Sequence, residues 1–325
     1  MRVLVTGAAG FVGGVVADTL AAAGHQVTAL IHNELPPPRL APGTEIISAD
    51  LLEIDELAAA GIDRGFDAVC HLAALTRVRE SLRDPLRYFA VNVTGTVNLL
   101  GLLERGTEVS GIAPIVVLGS SCAVYGAPET QPIPETQPPA PTNAYGASKL
   151  AAEQVLTHQA ATGRIGAVVL RSFNIAGAAG VHADRDGTRI IPAALAVASG
   201  ASEVFGVNGD GAVIREYVHV ADMADAYLAA LDAVAPGQSE IFNVGTGVGV
   251  SVADVLAAVE RVTGRTVRRV RRPPAVEPPM LVADSRRIRA ELTWRPTRST
   301  IDRIVADAWD HAAPRASVQM IGQGG

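Results

Sequence analysis

The stretch from Arg2 to Ala23 constrains the fold more than any other. Arg-Val-Leu-Val-Thr at Arg2 to Thr6 is the short apolar run of a strand buried on both faces. Gly7-Ala8-Ala9-Gly10-Phe11-Val12-Gly13 follows at once and leads into an Ala-rich helical stretch. A strand that feeds a helix through three glycines needs a tight turn at Gly7, close approach of a ligand at Gly10 and close helix-to-strand packing at Gly13. Phosphates suit the positive end of the helix, beside the amides of Phe11 and Val12. The spacing is GxxGxxG rather than GxGxxG, and its setting points to a dinucleotide on a parallel α/β sheet.

Further apolar runs follow that pattern. Gln26 to Ile31 forms a second strand, ending in Ile31-His32-Asn33 with Glu34 slightly later. A carboxylate at that tip would select NAD, whereas His32 or Arg39 would suit a 2′-phosphate, so NAD is expected without NADP being excluded. Pro36-Pro37-Pro38 marks a loop. Thr44 to Ser48 leads to Asp50 and Leu51, where the carboxylate either accepts from an adenine amine or caps the next helix. Ala68 to Ala74 is a buried strand whose small end, Leu72-Ala73-Ala74, leaves room for a cofactor, with His71 a satisfied core histidine. Leu86 to Arg105 reads as one helix, in which Asn92 needs polar partners, from a cofactor or from neighbouring loops.

Ile115 to Leu118 ends in Gly119-Ser120-Ser121-Cys122, hydroxyls at the carboxyl end of a strand. There Ser121 would either share a hydrogen bond with Tyr145 and a substrate oxygen or cap its own turn. Thr142 or Asn143 caps a helix carrying Tyr145 and Lys149, which is the only lysine of the chain. Four residues apart, the two share a helix face. A neighbouring ammonium, joined by a positive nicotinamide ring, is expected to lower the phenol from its usual pKa of about 10 and make Tyr145 a general base. Val168 to Arg171 makes the sixth strand.

Beyond Ser172 the elements are shorter and separated by glycine-containing loops, as in a smaller second domain. Ile190 to Ser199 is a helix, and Arg215 to Val220 and Ile241 to Gly245 read as strands. The arginines at 261, 265, 268, 269, 271 and 272 are either a solvated face or donors for a diphosphate. Val204 and Phe205 either flank a base or pack among themselves. Pro314 to Gly325 reads as a tail.

The 325 residues, 48 % of them apolar, suffice for one large α/β unit or two domains sharing a cleft. A net charge of -6 argues against nucleic acid as a partner. No apolar run is long enough to span a bilayer, and Met1 runs directly into a strand, so a cytoplasmic protein is expected. Cys70 and Cys122 have no metal-ligand spacing, and no metal is expected.

Together, Val5 to Gly13, Tyr-Gly-Ala-Ser-Lys at Tyr145, Leu-Arg-Ser-Phe-Asn at Leu170 and Arg-Glu-Tyr-Val-His-Val at Arg215 resemble the extended short-chain dehydrogenase/reductases. The likeness is greatest to the UDP-glucose (galactose) 4-epimerase-like nucleotide-sugar enzymes and runs from Met1 to about His311. It implies an α/β fold, a Rossmann-type doubly wound parallel sheet with a smaller C-terminal α/β substrate domain. The boundaries it suggests are 1–172, with returning segments near 215–248, for the cofactor domain. The segments 173–214 and 249–312 would form the sugar-nucleotide domain, with a disordered tail at 313–325. It also implies dimers built through helices like 86–105 and 144–161.

By the same resemblance Tyr145 takes the proton of a sugar 4-hydroxyl while a hydride leaves C4, Lys149 holds the phenolate and the nicotinamide ribose, and Ser121 relays the hydrogen bond. Asn174 and Arg215 would meet the diphosphate of a nucleotide sugar. Four positions depart from the pattern. The acidic tip of the second strand is missing. Thr76 replaces a frequent lysine. Pro274 falls near the place of a second diphosphate arginine, with Arg271 and Arg272 upstream. Cys122 sits where a related subgroup has an acid/base cysteine, although Arg189 lies near the place of that subgroup's histidine. The alternatives carried forward are an NADPH-dependent reductase of a 4-keto sugar and a non-catalytic NAD(P)-sensing scaffold.

Overall fold

The computed structural model describes residues 1–32, 37–275 and 277–312. The strands are β1 (Arg2–Thr6), β2 (Gln26–Ile31), β3 (Glu45–Ser48), β4 (Ala68–His71), β5 (Ile115–Ser121), β6 (Gly166–Ser172), β7 (Asn174–Ala176), β8 (Ala178–Ala179), β9 (His182–Ala183), β10 (Phe205–Asn208), β11 (Ile214–Arg215), β12 (Tyr217–His219), β13 (Ser239–Val244), β14 (Val250–Ser251), β15 (Arg269–Arg272) and β16 (Met280–Leu281). The helices are α1 (Phe11–Ala22), α2 (Ile54–Ala59), α3 (Val78–Ser81), α4 (Pro85–Phe89), α5 (Gly95–Ser110), α6 (Ala144–Ala160), α7 (Ile190–Ser199), α8 (Val220–Ala230), α9 (Val252–Thr263), α10 (Arg286–Glu291) and α11 (Ile301–Ala312).

Seven strands form one sheet in the order β13-β6-β5-β4-β1-β2-β3, with every neighbouring pair parallel. Such a sheet must be covered on both faces, which explains its nearly unbroken Val, Leu and Ile strands. Val3, Val5, Cys70 and Val168 pack toward α1 and α8 on one face, while Leu4, Val69, Val116 and Leu118 pack toward α5 and α6 on the other. Each such side chain contributes about 1.5–3 kcal/mol on burial. The strand order reverses direction between β1 and β4, so the ligand crevice lies past the carboxyl ends of those two strands. A further core, built by Ile191, Leu195, Val255, Val259, Ile304 and Val305 of α7, α9 and α11, lies beyond the sheet.

Two elements differ from the sequence expectation. The helix expected over 86–105 contains a π-helical turn, Ala90–Thr94, between α4 and α5. The widened turn lets the Asn92 amide donate to Leu75 O (3.0 Å) and Ser148 Oγ (2.9 Å), while its carbonyl accepts from Leu75 N (2.8 Å). The strand expected over 215–220 is cut at Glu216, with β11 pairing β14 and β16 and β12 pairing β7. Glu216 is fully buried, its carboxylate accepts from Ala283 N (2.8 Å) and Gly247 N (2.8 Å), and its backbone carbonyl accepts from Asn174 Nδ2 (3.0 Å) instead of from a neighbouring strand. The expected tail, Asn33 and Glu34 lie outside the described residues.

Candidate active site

Gly7 takes up φ +69°, and its carbonyl accepts from Gly10 N at 3.0 Å, closing the turn between β1 and α1. A Cβ on Gly7 would stand 2.8 Å from Ala73 N, and one on Gly13 only 2.2 Å from Gly7 O. The glycines therefore allow β1, α1 and the end of β4 to meet without side chains between them. Gly10 caps α1 with no side-chain hydrogen bond, so the first amides of that helix remain available to an anion.

One cavity of about 1640 Å3 runs from this loop across the sheet. One end of it is lined by Ile31, His32, Asp50 and Leu51. Asp50 does not cap the next helix, which starts at Ile54 after Glu53. Its carboxylate accepts from Leu52 N at 2.9 Å and lies 3.4 Å from His32 Nε2. Further along, Leu72, Ala73, Ala74 and Thr76 line the cavity. Thr6 Oγ1 fixes that segment by accepting from Leu72 N (3.2 Å) and Ala73 N (3.1 Å). His71 bridges Thr6 Oγ1 (2.8 Å) and Thr96 Oγ1 (3.0 Å), and burial, seconded by Lys149, pushes its pKa down to about 3. It is a neutral core histidine. Asn92 is likewise committed to Leu75 and Ser148. It braces the β4 loop against α6.

Asn143 opens α6 by accepting from Gly146 N at 2.9 Å, a cap worth about 1 kcal/mol. Tyr145, Lys149 and Glu153 then follow at one-turn intervals, all buried. Tyr145 packs edge-on against Tyr88, with ring centroids 6.4 Å apart. Ser121, at the end of β5, accepts from Ala123 N at 3.2 Å and also lies beside the Tyr145 phenol, so the turn-capping and site roles coexist. Among the described residues nothing accepts a hydrogen bond from the Lys149 ammonium, which lines the cavity.

The expected acidity of Tyr145 is not found in the chain by itself. Burial pushes the phenol up to about 12, against smaller downward pulls from Ser121 and Arg189. Lys149 is not prominent among the groups acting on it. The ammonium is itself pushed down to about 8 by burial, partly restored by Glu153. Burying a phenolate costs more than this surrounding returns.

The sequence reading passed over the support beneath Lys149. Glu153 pairs with Arg171 at 2.6 Å, both side chains buried, and accepts from Ser120 Oγ. Arg171 reaches Tyr125 OH (3.0 Å), which donates to Asn243 Oδ1 (2.7 Å). The signal was present in the i, i+4, i+8 spacing of Tyr145, Lys149 and Glu153. The network ties α6 to β5, β6 and β13 just below the site.

At the far end Asn174, Phe205, Arg215 and Arg272 line the same cavity. Asn174 donates to Glu216 O at 3.0 Å, and Arg215 pairs with Glu277 at 2.8 Å. β10 and β15 pair in parallel with Asn208 opposite Arg272. A Cβ on Gly206 would lie 2.1 Å from Arg272 Nε, so this guanidinium crosses the glycine to reach the cavity. Arg272, unlike Arg271 and Pro274, lines this end of the cavity. Of the earlier arginines, Arg261 pairs with Asp302 and Arg269 with Glu260. Cys122 lines the cavity too, but burial pushes its thiol up to about 12, which disfavours a thiolate base.

The donor set fits a dinucleotide at one end of the cavity and a second diphosphate at the other. The profile of the NAD dependent epimerase/dehydratase family matches residues 3–245. A UDP-glucose 4-epimerase of Streptomyces lividans is 39 % identical over 320 residues, 95 % of each chain. One of Corynebacterium glutamicum is 37 % identical, again over 95 % of each. The solved UDP-glucose-4-epimerase of Stenotrophomonas maltophila, with bound NAD and formylated UDP-arabinopyranose, superposes with a TM-score of 0.86 at 31 % identity, covering 96 % of this chain and 97 % of that one. With the strand order, the glycine turn and the Ser121, Tyr145 and Lys149 grouping, these likenesses establish that the chain belongs to the NAD dependent epimerase/dehydratase family.

Proposed function

We propose that this chain is a nucleotide-sugar 4-epimerase acting on a UDP-sugar, with NAD retained through turnover. The observation that carries the reading is a single cavity joining the glycine turn, the Ser121, Tyr145 and Lys149 grouping, and the Arg215 and Arg272 pair. NAD, when bound, supplies a hydride acceptor that returns the hydride to the same carbon, and a positive ring while oxidised. Gly7, Gly10, Phe11 and Val12 would hold its pyrophosphate, and Lys149 Nζ, lacking a protein acceptor, its nicotinamide ribose. Tyr145 Oη takes the proton from the sugar 4-hydroxyl and later gives it back, with Ser121 Oγ holding the same hydroxyl. Arg215, Arg272 and Asn174 grip the diphosphate while the 4-keto sugar presents its other face.

The raised pKa of Tyr145 suits this cycle. A phenol at about 12 is an acid when no positive ring faces it. A bound cofactor with a positive ring would lower the proton affinity of this phenol and favour its role as a base. A homodimer is part of the proposal. Leu86 (80 % exposed) on α4 and Val97 (47 %) on α5 are exposed apolar side chains that a second copy would cover. No helix among the described residues is long and apolar enough to cross a membrane. A cytoplasmic enzyme is proposed, in keeping with the two unpaired cysteines, Cys70 and Cys122.

The test is to incubate purified protein with UDP-galactose and no added reductant, following UDP-glucose and the absorbance of reduced cofactor. Many turnovers without accumulation of NADH are expected. Stoichiometric consumption of NADPH would replace the reading by the reductase. Cofactor-dependent partner binding without sugar conversion would replace it by the sensing scaffold.

A further inference from the structure

Tyr227, on α8, has a buried ring and a hydroxyl that the chain leaves without a bond. Its side chain is 1 % exposed and belongs to the core that α1 and α8 share with one face of the sheet. It nevertheless lines the cavity, and among the described residues its hydroxyl meets no hydrogen-bond partner. Buried hydroxyls are as a rule satisfied, so this one calls for a partner that enters by the cavity.

The neighbouring strand makes room for it. Gly119 lies two residues before Ser121 on β5 and, by the alternation of strand side chains, faces α8 as Val117 does. A Cβ on Gly119 would stand 2.4 Å from Tyr227 Oη, whereas the next atoms, His71 O and Tyr227 Cζ, lie at 3.5 and 3.7 Å. A side chain at 119 would therefore displace the hydroxyl and little else.

The depth of the hydroxyl identifies what it meets. Two residues of parallel strand span about 7 Å, so Gly119 lies about that much closer to the body of the sheet than Ser121, which holds the reacting sugar hydroxyl. A ring that exchanges a hydride with the sugar lies against it, between the sugar and the strand ends. The seat for the pyrophosphate, at the amino end of α1, is on the same face of the sheet as α8, which packs on α1. The group that reaches Tyr227 from that seat is the nicotinamide, whose polar substituent is a carboxamide. Burial pushes the Tyr227 pKa well above 10, so it stays an O–H donor at any working pH, and an amide oxygen is an acceptor for it.

We propose that Tyr227 is a cofactor-binding residue whose hydroxyl donates to the carboxamide oxygen of bound NAD, and that Gly119 lacks a side chain to admit this contact. The inference rests on the NAD site of the reading above and adds to it a residue from a helix on the far side of the sheet from α6. Tyr227 then fixes which way the ring lies, while Lys149 holds the ribose.

The test equilibrates the purified protein with excess NAD and ADP-ribose together and weighs the nucleotides released on denaturation, for the wild type and Tyr227→Phe. Phenylalanine keeps the ring in the core and removes only a hydroxyl that has no protein partner to lose. The bound ratio of NAD to ADP-ribose, which lacks the nicotinamide, should fall about 5- to 100-fold, the range for one hydrogen bond withdrawn from a desolvated group. The acetylpyridine analogue of NAD keeps the carbonyl and replaces the amide nitrogen by a methyl, so it should lose to the same extent. An unchanged ratio overturns the inference. So does a loss on NAD that spares the acetylpyridine analogue, which would move the contact to the amide nitrogen. These readouts are of binding, so a failure of sugar conversion leaves them standing, whereas a wild type that binds none of the three nucleotides overturns the cofactor site itself.

Discussion

Lys149→Met separates what the buried lysine does for catalysis from what it costs the fold. The ammonium has almost no exposed surface, and burial lowers it from an ordinary 10.5 to about 8 despite the help of Glu153. That difference corresponds to about 3 kcal/mol against the folded state at neutral pH, at about 1.4 kcal/mol per tenfold. Methionine keeps the length of the side chain and removes the charge, and Glu153 keeps Arg171 as its partner. At about 2.1 cal/mol/K per residue, unfolding 325 residues carries about 0.7 kcal/mol/K, so melting should rise by up to about 4 °C. Between about pH 8 and 10.5 the unfolded lysine holds more protons than the folded one, so wild-type stability rises with pH through that window. The advantage of the variant is therefore complete below pH 8 and fades toward 10.5. The assay is thermal unfolding of both proteins, freed of dinucleotide, at pH 7 and 10, alongside turnover. A variant that is less stable than the wild type at pH 7, or whose advantage grows with pH, would refute the reasoning. So would a variant that keeps wild-type turnover.

Other consequences follow from packing and charge. Gly13→Ala places a methyl 2.2 Å from Gly7 O, and the purified protein should hold little or no dinucleotide, read by weighing the nucleotides released on denaturation. Arg272→Ala should raise KM for the UDP-sugar tenfold or more while Arg271→Ala changes it less than threefold, since only Arg272 lines the cavity. Glu153→Gln leaves the buried Arg171 charge unpaired and should cost about 3–5 kcal/mol, or about 4–7 °C in melting. It also removes the one group that raises Lys149, so the alkaline fall in kcat should begin at lower pH.

What could be read from the sequence was what depends on near neighbours in the chain. The glycine turn announces itself because Gly7 and Gly13 answer to atoms within a few residues or to one adjoining strand. The Tyr145 and Lys149 pair shows in helical spacing, and Asn143 in its place before that helix. What could not be read depends on distant partners. Choosing Arg272 over Arg271 needs the register between β10 and β15, which local spacing does not contain. The break at Glu216 needs the amides of Gly247 and Ala283. The phenol was expected to be acidic because its neighbour in the helix is a cation, but burial is set by the whole fold, and it prevails.

The most direct test of the proton transfer assigned to Tyr145 is the kcat of Tyr145→Phe, measured with the best UDP-sugar on protein that retains its full complement of bound dinucleotide. A fall of about a thousandfold or more is expected, within the range for losing a general acid and base. A variant that binds the dinucleotide fully and turns over within a few-fold of the wild type would show that some other group moves the proton.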